Sequence, residues 1–270
     1  MLSSTAFEAP RDMNLYQFCI DTARRILPKK VLAGIRSILV RNLKGDPKAV
    51  FTEIHRRNIW GYRESVSGGG STLHYTQKLR TTLPRLIAEL KADSILDLPC
   101  GDLNWMSQID LPVSRYIGGD IVEQVVVDAQ NNYGRLGREF RVLHLCKDPL
   151  PKTDVLLCRH CLMHLSEDMV FLALSNILRS DIRYLVTSTF PKSKNRSIRT
   201  GDFFPINLCS EPYNLPAPSH ALEDWTPPFD EHYLGVWDIA ALRKFALAGG
   251  SPRLISPITG SPTQRETSSR

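Results

Sequence analysis

Two carboxylates around a tight turn carry the first chemical signal. The stretch Asp97-Leu98-Pro99-Cys100-Gly101-Asp102 holds a single glycine, and Asp120 follows eighteen residues after Asp102. An acid in that position can accept two hydrogen bonds from the vicinal hydroxyls of a ribose. Gly101 lets the backbone approach a ligand closely. A second group, Cys158-Arg159-His160-Cys161-Leu162-Met163-His164, sets a guanidinium, two imidazoles and two thiols close together. An imidazole there can take a proton from a hydroxyl or simply pack as a satisfied histidine. The guanidinium can grip a carboxylate through two parallel hydrogen bonds. Cysteine and histidine at such spacing can also hold zinc. Here, however, Cys161 would not share a face with both His160 and His164, Cys158 ends an apolar run, and no second ligand pair is evident. No metal is expected.

These groups need strands to present them. Short apolar runs occur at Ser94–Leu98, Tyr116–Gly119, Phe140–Leu145, Asp154–Cys158 and Ile182–Phe190. Such runs suit strands buried on both faces. Between them lie helical patterns: Val122, Val126 and Ala129, stopped by Asn132 or Gly134, and Met169, Leu172, Ala173 and Ile177 behind a Ser166 cap. Strand–helix alternation predicts an α/β fold with a mostly parallel sheet. In such sheets ligands bind beyond the carboxyl ends of the strands, where the order reverses. Tyr233–Trp237 reads as a late strand, and Asp238 as the cap of a final helix, Ile239–Ala248.

Upstream, Leu73, Thr76, Leu79, Leu83, Ile87 and Leu90 share a helical face that Pro84 should kink or restart. Residues 14–44 read as two helices parted by Pro28, the second with Leu32, Ile35, Ile38 and Leu39 on one face. The favoured reading packs this segment on the main domain. Contact with an anionic membrane surface or another subunit is the alternative. Residues 191–232, rich in Pro, Asn and Asp and with little periodicity, read as a long loop, either a lid or a disordered insertion. The expected division is a basic helical extension at 1–57, a main domain at 58–248 and a disordered tail at 249–270.

Composition narrows the function. The hydrophobic fraction of 42% suits a globular core, and no apolar run is long enough to span a membrane. The net charge is +6, of which residues 1–50 supply five through nine basic and four acidic side chains. The rest is near neutral and carries no nucleic-acid motif, so no nucleic-acid partner is expected. Six irregularly spaced cysteines, with no secretory signal before them, read as reduced thiols in a cytoplasmic protein.

The loop after the first strand separates two adenosine-bearing cofactors. A nicotinamide dinucleotide needs several glycines to seat its pyrophosphate on a helix N-terminus. Only Gly101 is present, and Asp102 would repel an anion. S-adenosylmethionine has no phosphate and carries a sulfonium cation and an amino group, so nearby carboxylates are tolerable or helpful.

At this point a family resemblance emerges. Asp97–Gly101 resembles the first motif of class I S-adenosylmethionine-dependent methyltransferases, where an acid and glycines border the methionine part. Tyr116-Ile117-Gly118-Gly119-Asp120-Ile121 is similar to the second motif, whose acid holds the ribose. Asp154–Leu165 resembles the fourth-strand motif, and Trp60–Ser71 the cofactor-capping segment of a bacterial subgroup with a DxPCGD first motif. Pro99 and Leu103 stand where the family's first and third glycines are usual, His144 where an acid is common, and His160 where relatives carry a polar or acidic residue.

The resemblance implies a Rossmann-like sheet of about seven strands with helices on both faces and the last strand antiparallel. It implies S-adenosylmethionine held by Asp97, Pro99, Gly101, Asp102, Asp120, Ile121, Leu145 and Arg159, with Ser67, Gly69 and Ser71 from the capping loop. His164 and His160 are the candidate catalytic residues. Asn207, Tyr213 and Asn214 are the candidate substrate contacts from the lid. The expected reaction is methylation of a hydroxyl or amine on a small molecule or glycan. Two alternatives remain: a nicotinamide-dependent oxidoreductase, and a non-catalytic domain of the same fold that binds a partner through its N-terminal helices.

Overall fold

The computed structural model describes residues 26–60, 62–227 and 231–255. Seven strands follow one another along the chain: β1 (Ser94–Asp97), β2 (Arg115–Asp120), β3 (Arg138–Val142), β4 (Val155–Cys158), β5 (Tyr184–Thr189), β6 (His220–Glu223) and β7 (Tyr233–Asp238). They form a single sheet in the order β3-β2-β1-β4-β5-β7-β6. β1 to β5 pair in parallel, β7 runs antiparallel to β5, and β6 pairs antiparallel with β7. This is the sheet the sequence implies, with its antiparallel strands at one edge.

The apolar runs are continuous because both faces of the central strands are covered. Leu96, Leu156 and Leu185 point to one side, where Val170, Phe171, Leu174 and Ile177 of α5 (Glu167–Arg179) and Leu242 of α6 (Ile239–Leu247) pack on them. Ile95, Val155 and Val186 point to the other, against Leu79, Leu83 and Ile87 of α3 (Gln77–Glu89) and Val126 and Ala129 of α4 (Glu123–Tyr133). Each fully buried side chain of this size contributes roughly 1.5–3 kcal/mol. Asp238 caps α6 through a 2.8 Å hydrogen bond from the Ala241 N–H. Ser166 occupies the cap position of α5 but makes no side-chain cap bond there.

Several expectations change. Pro84 lies inside an unbroken α3, whose buried Leu79, Leu83, Leu86 and Ile87 hold the helix to the sheet on both sides of the proline. The first predicted N-terminal helix lies outside the described residues apart from its end. In α1 (Lys29–Arg41), Ile35 and Ile38 are exposed while Leu39 packs beside the buried Val40, so only part of the predicted apolar face is covered. Val40 sits with Val50 and Ile54 of α2 (Pro47–Arg56) and with Ile59, and Ser37 donates to Asp202, which fixes that rotation. Residues 191–232 are not one long loop, since they contain β6. At the start of the expected tail, Leu254 is buried and its carbonyl accepts a 2.6 Å hydrogen bond from Ser175. Among the described residues no helix is long and apolar enough to cross a membrane, and the five described cysteines are free.

Candidate functional site

The carboxyl ends of β1, β2 and β4 lie side by side, with Asp97 in register with Gly118 and Leu157. The strand order reverses at β1 and β4, which opens a crevice at this edge. Past β1 the backbone stays tied to its neighbours: Leu98 N–H donates to the Leu157 carbonyl and Cys100 N–H to the Gly119 carbonyl. The chain then turns sharply. Gly101 has φ +57°, and a Cβ there would lie 2.4 Å from Ser67 Oγ. Leu103 also takes a left-handed φ of +54° while its side chain is buried. The backbone therefore keeps a glycine-like path without the glycine, at a cost of order 1–2 kcal/mol.

Asp120 is pinned at both oxygens, by Val122 N–H at 2.9 Å and Gly101 N–H at 3.3 Å. Burial lifts its pKa to about 6 against those bonds. Asp97 is also buried, accepts the Tyr116 hydroxyl at 2.7 Å, and is pushed up to about 7 by desolvation. Both face a cleft of about 1110 Å³, solvent-open mouth included, with Pro99, Gly101, Ile121 and Leu145 along its wall and Ser67, Ser71 and Trp60 over it.

Asp102 does something else. Its carboxylate accepts from the hydroxyls of Ser65 and Ser67 and from the Val66 and Asn104 N–H groups, and it does not line the cleft. It ties the 65–67 loop down rather than facing a ligand. Gly69 likewise lines a neighbouring space, of about 1400 Å³, that meets the first at Trp60, Ser67, His160 and His164.

His164 stands between the two spaces. Its Nδ1 lies 2.9 Å from the Asp202 carbonyl oxygen, which can only accept. Nδ1 therefore carries the proton, and Nε2 is left as the basic nitrogen. Burial lowers its pKa, which favours this neutral form. His144, also on the first cleft, has the opposite arrangement. Its Nδ1 accepts from Cys146 N–H, so Nε2 is a donor, and that atom is buried with no partner among the described residues.

Arg159 reaches the first cleft, but its fork is spent inside the protein. Nε and Nη2 each lie 2.8 Å from an oxygen of Asp224, and Nη2 also donates to the Gly70 carbonyl. Burial alone would raise the Asp224 pKa, but the Arg159 charge with His232 and His160 holds it well below the usual carboxylate range. His160 is pushed to the neutral form by burial and then by Arg159. Its ring lies against Gly70, where a Cβ would sit 2.5 Å from Nδ1.

The structure does not bring Asn207, Tyr213 or Asn214 to either space. Asn207 is buried and holds its own loop, donating to the Pro191 carbonyl and accepting from Cys209 N–H. Tyr213 packs on Phe171, and Asn214 is an exposed turn residue with φ +51°. The residues that do complete the site from that segment are Asp224 and His232, joined by Tyr75. No spacing in the sequence marks them, because they lie 65 and 72 residues from their partners Arg159 and His160.

No family model matches the chain, and no curated protein matches it. Solved structures do. The chain is similar to magnesium protoporphyrin IX methyltransferase (ChlM) from Synechocystis PCC 6803 with bound SAM, at 16% identity over 72% of this chain and 98% of that one, TM-score 0.47. It is similar to the methyltransferase domain of bacterial CtHen1-C, at 16% identity over 61% of this chain and 98% of that one, TM-score 0.47. A third is an S-adenosylmethionine-dependent methyltransferase from Clostridium acetobutylicum ATCC 824, at 12% identity over 60% of this chain and 91% of that one, TM-score 0.45.

Proposed function

We propose that this chain is an S-adenosylmethionine-dependent methyltransferase acting on a hydroxyl or amine of a small molecule or glycan. The observation that carries the proposal is the presence of Asp97 and Asp120 on one cleft where Gly101 is the single glycine among the described lining residues. Two buried carboxylates suit a ligand with a ribose diol at one end and an ammonium and sulfonium at the other. They are poor company for a pyrophosphate, which also needs the backbone nest that this loop lacks. Asp120 would hold the ribose and Asp97 the amino group. The His144 Nε2–H donor would meet a ring nitrogen of the base. Ser67 and Ser71 would close the cleft from above, Ser67 held there by Asp102 and Ser71 through its carbonyl by Asn104.

When bound, the cofactor supplies an electrophilic methyl group. The chain's own part is placement and proton handling. The second space, open to the first at His160 and His164, receives the acceptor. Holding acceptor and donor at near-attack distance accounts for much of such catalysis. His164 Nε2 takes the proton of an acceptor hydroxyl as its oxygen gains the methyl, and the Asp202 carbonyl steadies the imidazolium through Nδ1. Incubation with methyl-labelled cofactor and a panel of hydroxylated small molecules and glycans tests this reading. Label transfer that falls about 100-fold or more in His164→Ala supports it. Transfer unaffected by that substitution removes the base, and no transfer to any acceptor favours the non-catalytic reading.

A further inference from the structure

Where the second space begins, three side-chain atoms from distant parts of the chain converge. His160 Nε2 lies 3.0 Å from His232 Nε2 and 3.4 Å from Asp224 Oδ2, and His232 Nε2 lies 3.7 Å from the same oxygen. Ligand atoms held about 2.0–2.2 Å from a tetrahedral ion are spaced roughly 3.3–3.6 Å from one another. The circle through these three atoms has a radius of about 2.0 Å, so an ion near its centre reaches all of them at bonding distance. We propose that His160, Asp224 and His232 form a binding site for one divalent transition metal ion of the zinc type.

The surroundings have the features of a built site. The Asp224 side chain is wholly buried and that of His232 nearly so, while His160 is 20% exposed toward the two spaces. Arg159 grips both oxygens of Asp224, the kind of outer contact that fixes a ligating carboxylate, and Oδ2 also faces both imidazoles, whose contacts with it an ion would replace. Phe190 stacks on His232 with centroids 4.4 Å apart and planes 16° from parallel. His160 is held in a left-handed backbone, φ +50°, with its N–H on Ser188 Oγ. Residues other than glycine take that region uncommonly, histidine being among the types that tolerate it best, and such conformations cluster at functional positions. The charges around the site also admit a cation: Asp97 and Asp120 line the first cleft, Asp202 offsets Arg36 in the lining of the second, and the Arg159 charge is already matched by Asp224.

Three protein ligands leave one position open, as catalytic rather than structural zinc sites do. Tyr75 lies beside it, its hydroxyl 3.2 Å from His232 Nε2, and the second space lies beyond. That position takes water or an oxygen of the acceptor, and this last step rests on the transfer reading above. The ligand set itself rests on geometry alone.

Cobalt(II) is the direct probe. The full chain, stripped with chelator and returned to chelator-free buffer, is titrated with Co²⁺ and followed by visible absorption. The expected result is intense ligand-field bands that saturate at one ion per chain and vanish when Zn²⁺ is added. His232→Asn and His160→Asn weaken binding about tenfold or more, asparagine being tolerated in the left-handed backbone at position 160. His220→Asn, at an exposed residue on β6, leaves the titration unchanged. Absent bands, or bands equally strong in both variants with unchanged circular dichroism, overturn the site. Calorimetry with S-adenosylmethionine on the stripped chain keeps the two readings apart. Cofactor binding without cobalt bands overturns the metal alone, and cobalt bands without cofactor binding overturn the cofactor alone.

Discussion

The Asp120 carboxylate accepts the Gly101 N–H at 3.3 Å, so the acid that ends β2 and the turn that follows β1 are one mechanical unit. Moving either disturbs the other. Asp120→Ala removes the proposed ribose acceptor and leaves the Gly101 amide unpaired. It should weaken S-adenosylmethionine binding by about tenfold or more, equivalent to about 1.4 kcal/mol. Gly101→Ala puts a methyl against Ser67 at a left-handed position. It should lower stability by about 1–2 kcal/mol in urea denaturation and weaken cofactor binding alongside.

Asp97 should trade stability for function. Its pKa is raised in the folded chain to about 7, chiefly by burial, so its charge works against folding. The stabilising contribution of this group is full below about pH 4 and is lost as pH rises to about 7. Asp97→Asn keeps an oxygen for the Tyr116 hydroxyl and carries no charge. Its advantage over the wild type should appear above about pH 4 and level off above about pH 7, at on the order of 1–3 kcal/mol. Denaturation curves across that range check the sign. The same variant should bind S-adenosylmethionine more weakly at pH 8, where the wild type is ionised.

The buried Arg159–Asp224 pair makes a contrasting prediction. Both side chains are almost wholly buried, at 5% and 0% exposure. Asp224→Ala leaves a guanidinium uncompensated in the interior and should cost about 3–5 kcal/mol. Asp224→Asn, which retains an acceptor, should cost less. Chemical denaturation of the metal-free chain separates this loss from any contribution of a bound ion.

Asp102 is predicted to act at a distance from the ligand. Its four hydrogen-bond donors all belong to the 65–67 loop or to Asn104. Asp102→Ala should loosen that loop, so trypsin cleavage after Arg63 should quicken several-fold. S-adenosylmethionine binding should weaken only because the cap is less often closed. The cofactor, added in excess, should restore protection.

How much of this could be read from sequence depends on what each residue contacts. β1, β2, β4 and β5 were legible because strands covered on both faces must be continuously apolar, and Ile95, Leu156 and Val186 are such residues. Asp120 was legible because its place at a strand end fixes where it points. β6 was not, since His220, Ala221 and Glu223 are exposed and an edge strand leaves no apolar pattern. Asp102 has the composition of a ligand-facing acid, and only the fold shows that Ser65 and Ser67 claim it. Asn207 and Tyr213 sit in a polar segment for structural reasons of their own. The His160–Asp224–His232 cluster is invisible in spacing because the ends of the segment joining β6 to β7 meet the loop after β4 only once the sheet is built.

The central claim is that the cleft between Asp97 and Asp120 takes the methyl donor and not a dinucleotide. Isothermal titration calorimetry of the purified chain with S-adenosylmethionine, and separately with NAD, tests it most directly. The account predicts one saturable site for S-adenosylmethionine per chain, weakened in Asp120→Ala, and no heat of binding with NAD. Binding of NAD, or S-adenosylmethionine affinity unchanged in Asp120→Ala, would contradict it.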